Sequence, residues 1–193
     1  TQIPADTFQQ LVLNAGILAD NFTPSTGTVG NLLGATTGGI TFNSNPTYED
    51  WGSDVDNCPN NTMEFKRLTG YDPAMSGNFL TLNASSIGRL TGAADVTGSD
   101  GSQVHVTPRM ELLDTDFKDV WWIGDYSDIN SGSSAGYLAI HLINALNTSS
   151  LQITSSKNAK GQMAFDFHGH CSIDSPDTVP FEIYMKQGSS NTT

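Results

Sequence analysis

Residues Gly161 to Cys171 read GQMAFDFHGHC, and their side chains alternate without a break. Met163, Phe165 and Phe167 fall on one face; Gln162, Asp166 and His168 fall on the other. Period-two alternation marks a strand with one buried face and one wet face. A second stretch, PFEIYM, puts Phe181, Ile183 and Met185 on one face and Glu182, Tyr184 and Lys186 on the other. The intervening SIDSPDTV is rich in turn formers. The C-terminal third therefore reads as antiparallel sheet.

Moving outward, Val120 to Tyr126 (VWWIGDY) and Tyr137 to Leu146 (YLAIHLINAL) are the most apolar segments, and both read as strands. Trp121 and Trp122 are adjacent, so they point to opposite faces of a strand. One suits a core; the other needs cover from the same chain or from a neighbour. Phe8 to Leu13 (FQQLVL) reads as a short strand within an N-terminal arm of about residues 1–30. Thr36 to Tyr48 reads as another, with Ile40 and Phe42 alternating against Thr41 and Asn43. Thr62 to Leu82 is expected to pair with it as a long hairpin, bent or bulged where Gly70, Pro73 and Gly77 interrupt it. The polar stretch 52–62, GSDVDNCPNNT, forms the tip. A loop of that length in a compact domain is usually functional or disordered. Asn83 to Thr91 is the single helix expected, capped by Asn83 or Ser85, with Ile87 and Leu90 on one face and Gly92 at its end. Val96 to Gln103 reads as a hairpin tip.

The length of 193 residues suits one domain with a real core. Twenty acidic against eight basic residues leave a net charge of −12. A duplex-binding surface needs clustered Lys and Arg, and none is visible, so any relation to DNA is expected to be non-adhesive. The same charge disfavours anionic membranes. Cys58 and Cys171 read as reduced, mostly buried thiols; whether they pair is left open. The start TQIPADTFQQ lacks a basic, apolar leader, and no apolar run approaches a membrane span. A whole gene product made in the cytoplasm, with Thr1 following a removed Met, is expected. Five N-x-[ST] triplets, at Asn21, Asn60, Asn83, Asn147 and Asn191, are mostly a product of composition.

Candidate chemistry is sparse. His168 and His170 share a strand face beside Cys171, but a metal needs further ligands, and no spacing links them to His141 or His105. A hydrogen-bonded sheet surface is the favoured reading. Asp54-x-Asp56-Asn57 starts like a calcium loop and fails at Cys58 and Pro59. Asp114/Asp116 and Asp125/Asp128 lie in polar connections where acids are common. No G-x-S-x-G, P-loop or dinucleotide fingerprint occurs. Neither catalysis nor a cofactor is expected.

Six stretches carry a resemblance. They are FQQLVLNAGIL, LGATTGGITF, TYEDWGSDVDNCPNNTMEFKRL, FKDVWWIGDYSD, GYLAIHLINALNT and KGQMAFDFHGHCSIDSPDTVPFEIYM, together spanning most of Phe8 to Met185. In this order the chain resembles the major tail proteins, the tail-tube subunits of phages with long, non-contractile tails. None of the stretches is a mechanistic motif; their order is what is similar. The loops 96–103 and 128–135 fall where that pattern varies. The resemblance implies a mainly β fold, a β-sandwich or half-open barrel with one short flanking helix. It implies six copies per ring, stacked rings, and a lumen that conducts the DNA genome during ejection. It implies a subunit made in the host cytoplasm and located in the virion, with terminator, distal tail and tape measure proteins as partners. The loop 52–62 would reach the next ring, with Trp51, Asp54, Asp56, Asn57, Asn60 and Asn61 as contact candidates. Thr41, Asn43 and Glu64 would line the lumen, and a short tail, 187–193, would brace neighbours. Contractile-phage and secretion-system tubes are related possibilities. The competing reading is a glycan-binding β-sandwich on a virion or cell surface, which the abundant Asn, Trp and Tyr would suit.

Overall fold

The computed structural model describes residues 3–5, 7–127 and 135–189. The chain is mainly β. In the first half the strands are β1 (Val12–Ala19), β2 (Phe22–Thr23), β3 (Thr28–Val29), β4 (Leu32–Gly34), β5 (Thr36–Asn43), β6 (Pro46–Asp50), β7 (Lys66–Tyr71) and β8 (Ala74–Phe79). Helix α1 (Ala84–Thr91) follows, then β9 (Ala94–Thr97), β10 (His105–Pro108), β11 (Lys118–Tyr126), β12 (Tyr137–Asn147), β13 (Gln152–Thr154), β14 (Gln162–His168) and β15 (Phe181–Lys186). Nine strands form one antiparallel sheet in the order β4-β1-β11-β12-β14-β8-β5, with β13 on β14 and β15 on β12. Among the described residues no helix is long and apolar enough to cross a membrane.

Strand β12 joins two wings. One edge pairs with β11. The other pairs with β15 over Tyr137–Leu142 and then with β14 at Leu146 and Asn147. The change of partner coincides with Asn144, whose φ of 48° lies in the left-handed region; Asn tolerates that conformation through its short polar side chain. The expected antiparallel neighbours β14 and β15 therefore never pair with each other. They occupy successive stretches of the same edge of β12.

The alternation in β14 is realised: Met163, Phe165 and Phe167 are buried. They join one apolar cluster with Met75 and Phe79 of β8, Trp122 and Val120 of β11, Ile140 and Leu142 of β12, Leu18 of β1 and Leu90 of α1. Both wings thus share a core. In β15 the expected apolar face is covered only at Phe181; Ile183 and Met185 are exposed. On the far side of the first wing, Trp121 packs with Phe22 and Ala139, and its ring stacks on His141 at 4.0 Å. The β2–β3 hairpin supplies that cover, so no neighbouring chain is needed to bury either tryptophan.

Several local expectations are corrected. Only the last two residues of Phe8 to Leu13 are strand: Thr7–Gln10 forms a single 3-10 turn, entered where the Thr7 amide and hydroxyl donate to the Pro4 carbonyl, and β1 starts at Val12. Because β1 lies inside the sheet and fully buries Leu18 and Ala19, much of residues 1–30 is body rather than arm. Thr36 to Tyr48 is broken at Ser44–Asn45, where Asn45 has φ 42°. Cys171 is exposed and Cys58 partly buried, and both thiols are free. The helix is capped by Asn83, which accepts from the Ser86 amide, while Ser86 returns a bond to the Asn83 amide. Ser85 is exposed and plays no part in the cap, Ile87 is half-buried and Leu90 is buried.

Candidate assembly surfaces

The pairing expected between the two halves of the long hairpin is present in two parts. β5 pairs with β8 inside the sheet, and β6 pairs with β7 as a separate two-stranded arm. The arm begins where Asn45 and Asp72 bond reciprocally: the Asp72 amide donates to the Asn45 carbonyl, and Asn45 Nδ2 donates to the Asp72 carbonyl. A bulge follows, with Thr47 opposite Gly70 but Tyr48 opposite Leu68. Beyond its base, where the Tyr71 ring meets Phe181, the arm has no extensive contact with another strand or helix among the described residues. Its strands are nevertheless not wholly polar. Tyr48 and Leu68, directly opposite each other, are 55 % and 47 % exposed, and Trp51 is 59 % exposed. Met63 and Val55 are exposed as well. Apolar side chains at a projecting tip gain nothing from burial in their own chain.

The loop at the tip has a defined shape. Asp50 accepts from the Gly52 amide at 3.0 Å and the Asn61 amide at 2.8 Å, so one carboxylate ties both ends of the loop. Those amides, that of Asn61 first, hold the Asp50 carboxyl below the usual carboxylate range. Asn57 and Asn61 adopt left-handed conformations. Gly52 is buried against Cys58 and Phe65; an added Cβ would lie 3.0 Å from the Cys58 sulfur. This packing leaves Trp51, Asp54, Asp56, Asn57, Asn60 and Asn61 all exposed. The Arg67 guanidinium lies 5.4 Å from the Trp51 ring centre and the Trp51 indole donates to Glu49, which fixes the ring.

The second surface is the polar face of the wing formed by β5, β8 and β14. Register puts Thr41 beside Ser76 and Ser76 beside Asp166. Thr37, Asn78 and Ala164 form the next row, and Asn43, Ala74 and His168 the last. The face is built from short polar or small side chains, opposite to the Ile40, Phe42, Met75 and Phe165 core side. Thr41 and Asn43 belong to it and are exposed. Glu64 does not. It sits in the short 3-10 turn Met63–Phe65 at the outer end of the arm, a strand's length from the other two. At the last row His168 Nδ1 lies 2.7 Å from Asp72 and Nε2 lies 3.4 Å from Asp166. Burial pulls its pKa down, but the bond to Asp72 and the charges of Asp72 and Asp166 more than offset this, and the net shift is upward.

The remaining candidates are separated. His170 leaves the strand, packs edge-on against Phe117 and bonds the Asn144 carbonyl, so it does not meet His168. Among the described residues no group of three or more His, Cys, Asp or Glu is placed to hold a metal ion. Asp116 is bound to Arg109 and the Leu113 amide, and Asp125 to Asn14. Asp128 lies outside the described residues, as do Asn191 and residues 190–193 of the tail. Asn147 is buried: its side chain donates to the carbonyls of Leu90 and Ser149 and accepts from the Asp166 amide.

Sequence reading missed Tyr48 and Leu68 as a surface pair, because their exposure depends on the arm leaving the sheet. It also missed the cluster around His141, which lies 2.9 Å from Asp119 and 3.4 Å from Glu182. The spacing of those three residues carries no local signal. No protein-family model matches this chain, and comparison with characterised proteins finds no match either.

Proposed function

We propose that the chain is a structural virion protein, the subunit of a phage tail tube. Six copies form a ring, rings stack, and the lumen conducts the DNA genome into the host. The observation that carries this reading is the β6–β7 arm. It is ordered by its own contacts, projects from the sheet, and exposes apolar side chains that only another molecule can cover. The mainly β body with one short helix, and two wings around one core, is compatible with the half-open barrel that the resemblance implies.

The polar wing face supports the lumen assignment of Thr41 and Asn43 and extends it to Ser76, Asn78 and Asp166. Hydroxyl and amide groups offer phosphates few strong contacts, and a carboxylate repels them. DNA slides past such a wall without binding. Glu64 belongs instead with the arm and its contacts to the next ring. Terminator, distal tail and tape measure proteins are the partners implied at the tube ends and inside it.

Electron microscopy of the purified protein tests the proposal. Stacked rings with six-fold averages are the expected result. A monodisperse monomer at all concentrations, especially one that binds a glycan array, overturns it.

A further inference from the structure

The eight basic residues of a chain with net charge −12 are few enough to trace. Arg109 is engaged by Asp95 and Asp116, and Arg89 by the carbonyls of Lys118 and Asp119. In the arm, Lys66 donates to Asn61, and Arg67 covers Trp51. Lys118 and Lys186 are exposed singly on β11 and β15, without a hydrogen-bond or ion-pair partner among the described residues, whereas Lys157 and Lys160 lie together on one turn. Both are exposed, and neither has a hydrogen-bond or ion-pair partner among the described residues. They sit on the turn between β13 and β14, and the exposed Leu151 and Ile153 lead into it. The turn is therefore a small apolar patch with two free cations.

Its position follows from the ladder. The turn precedes Gln162, the first residue of β14, and the strand then runs to His168, about 20 Å away at the usual rise. His168 contacts Asp72 at the root of the arm. The lysine turn and the arm thus leave opposite ends of the same wing. The arm's outer loop carries Asp54 and Asp56, both exposed and without a partner among the described residues. One end of the molecule offers apolar side chains with two free carboxylates, and the other offers apolar side chains with two free ammonium groups.

We infer that the loop 52–62 of one copy docks on the β13–β14 turn of the next, with Asp54 and Asp56 against Lys157 and Lys160. This rests on the assembly reading above and names the receptor for the arm. Two different patches at opposite ends make a heterologous contact, which propagates along an axis instead of closing on itself. Copies that each carry −12 repel one another in general. A local pair of cations facing a local pair of anions makes one approach favourable and disfavours the others.

Charge exchange tests this. Under conditions where the unmodified chain forms tubes, Lys157→Glu with Lys160→Glu is expected to raise the critical concentration roughly tenfold or more, and Asp54→Lys with Asp56→Lys likewise. All four changes together are expected to return it to within about threefold of the starting value. Lys157→Gln with Lys160→Gln is expected to weaken assembly less and to flatten its dependence on salt. Circular dichroism of each variant establishes folding, which these exposed sites leave intact. Tubes that form equally well from both reversed variants overturn the receptor while leaving the tube reading in place. A fourfold variant that assembles no better than either reversed pair also overturns it. An unmodified chain that never polymerises overturns both readings.

Discussion

Single residues show how tightly the core is constrained. Gly16 lies in the bulge of β1 with φ 70°, and a Cβ there would come 2.5 Å from the Trp122 indole nitrogen. That nitrogen donates to the Ala15 carbonyl at 3.0 Å, so the ring cannot move aside freely. Gly16→Ala combines left-handed strain with overpacking. A loss of roughly 2–4 kcal/mol is expected, read as a shift in the denaturant midpoint. Asn147 is a second such site. Its buried amide satisfies the last turn of α1 and stands in the ladder of β14 at once. Asn147→Ala leaves a buried carbonyl and a buried amide unpaired, and roughly 2–4 kcal/mol of stability should be lost in the same assay. Neither site was legible in the sequence. Gly16 looks like any loop glycine until Trp122 is placed against it. Asn147 looks like a glycosylation triplet until burial shows its side chain fully engaged.

Elements that meet a core were the most legible. β14 shows a period-two pattern because it meets a core on one side, β11 and β12 stand out as apolar runs because both of their faces are covered, and α1 shows a cap and an apolar face because its signals are local. The break between β5 and β6 and the shared edge of β12 were not legible. Both depend on left-handed Asn residues and on partners far away in sequence. The root of the arm makes a prediction at this scale. His168 pairs with Asp72 there, and its folded pKa is raised above the unfolded value near 6.5. Its contribution is therefore fully present below the unfolded pKa and is lost as pH rises through the folded one. His168→Gln should lower thermal stability at mildly acidic pH and change it little at alkaline pH, as followed by calorimetry. On the opposite wing Asp119 is held below the ordinary range, first by His141 and also by the Asn144 amide. Its contribution is present above the unfolded pKa and is lost as pH falls through the folded one. Asp119→Asn should lower stability at neutral and higher pH, change it little in strong acid, and so flatten the acid-side loss.

The whole molecule divides into a body that holds itself together and an arm that does not contribute to the core. Asn45 and Asp72 are already bonded across the root, so the chain can be shortened there. Replacing residues 46–71 by a two-glycine link should leave a folded body with a melting temperature only a few degrees lower, reflecting mainly the lost Tyr71–Phe181 contact. The same deletion should abolish tube formation. A body that unfolds on deletion would show that the arm is part of the core after all. The placement of Lys157 and Lys160 opposite the arm also belongs to this scale. The residues are plain in the sequence, but which end of the molecule they occupy depends on the strand pairing.

The free edge of β5 carries one more consequence. Its register against β8 shifts between Thr37 and Ile40, across Gly38 and Gly39, both with positive φ and with open space where a Cβ would stand. A straight edge lets an incoming strand slide by two residues and find an equally good match, because the pleat repeats. The glycine kink removes that freedom: only the stretch from Ile40 to Asn43 is regular, and it ends at the Asn45 corner. Any strand that adds to this edge has one place to settle. If copies add to one another as in the tube proposed above, such a stop would act as a gauge for fidelity, since an early slip by one copy would be inherited by every copy added after it.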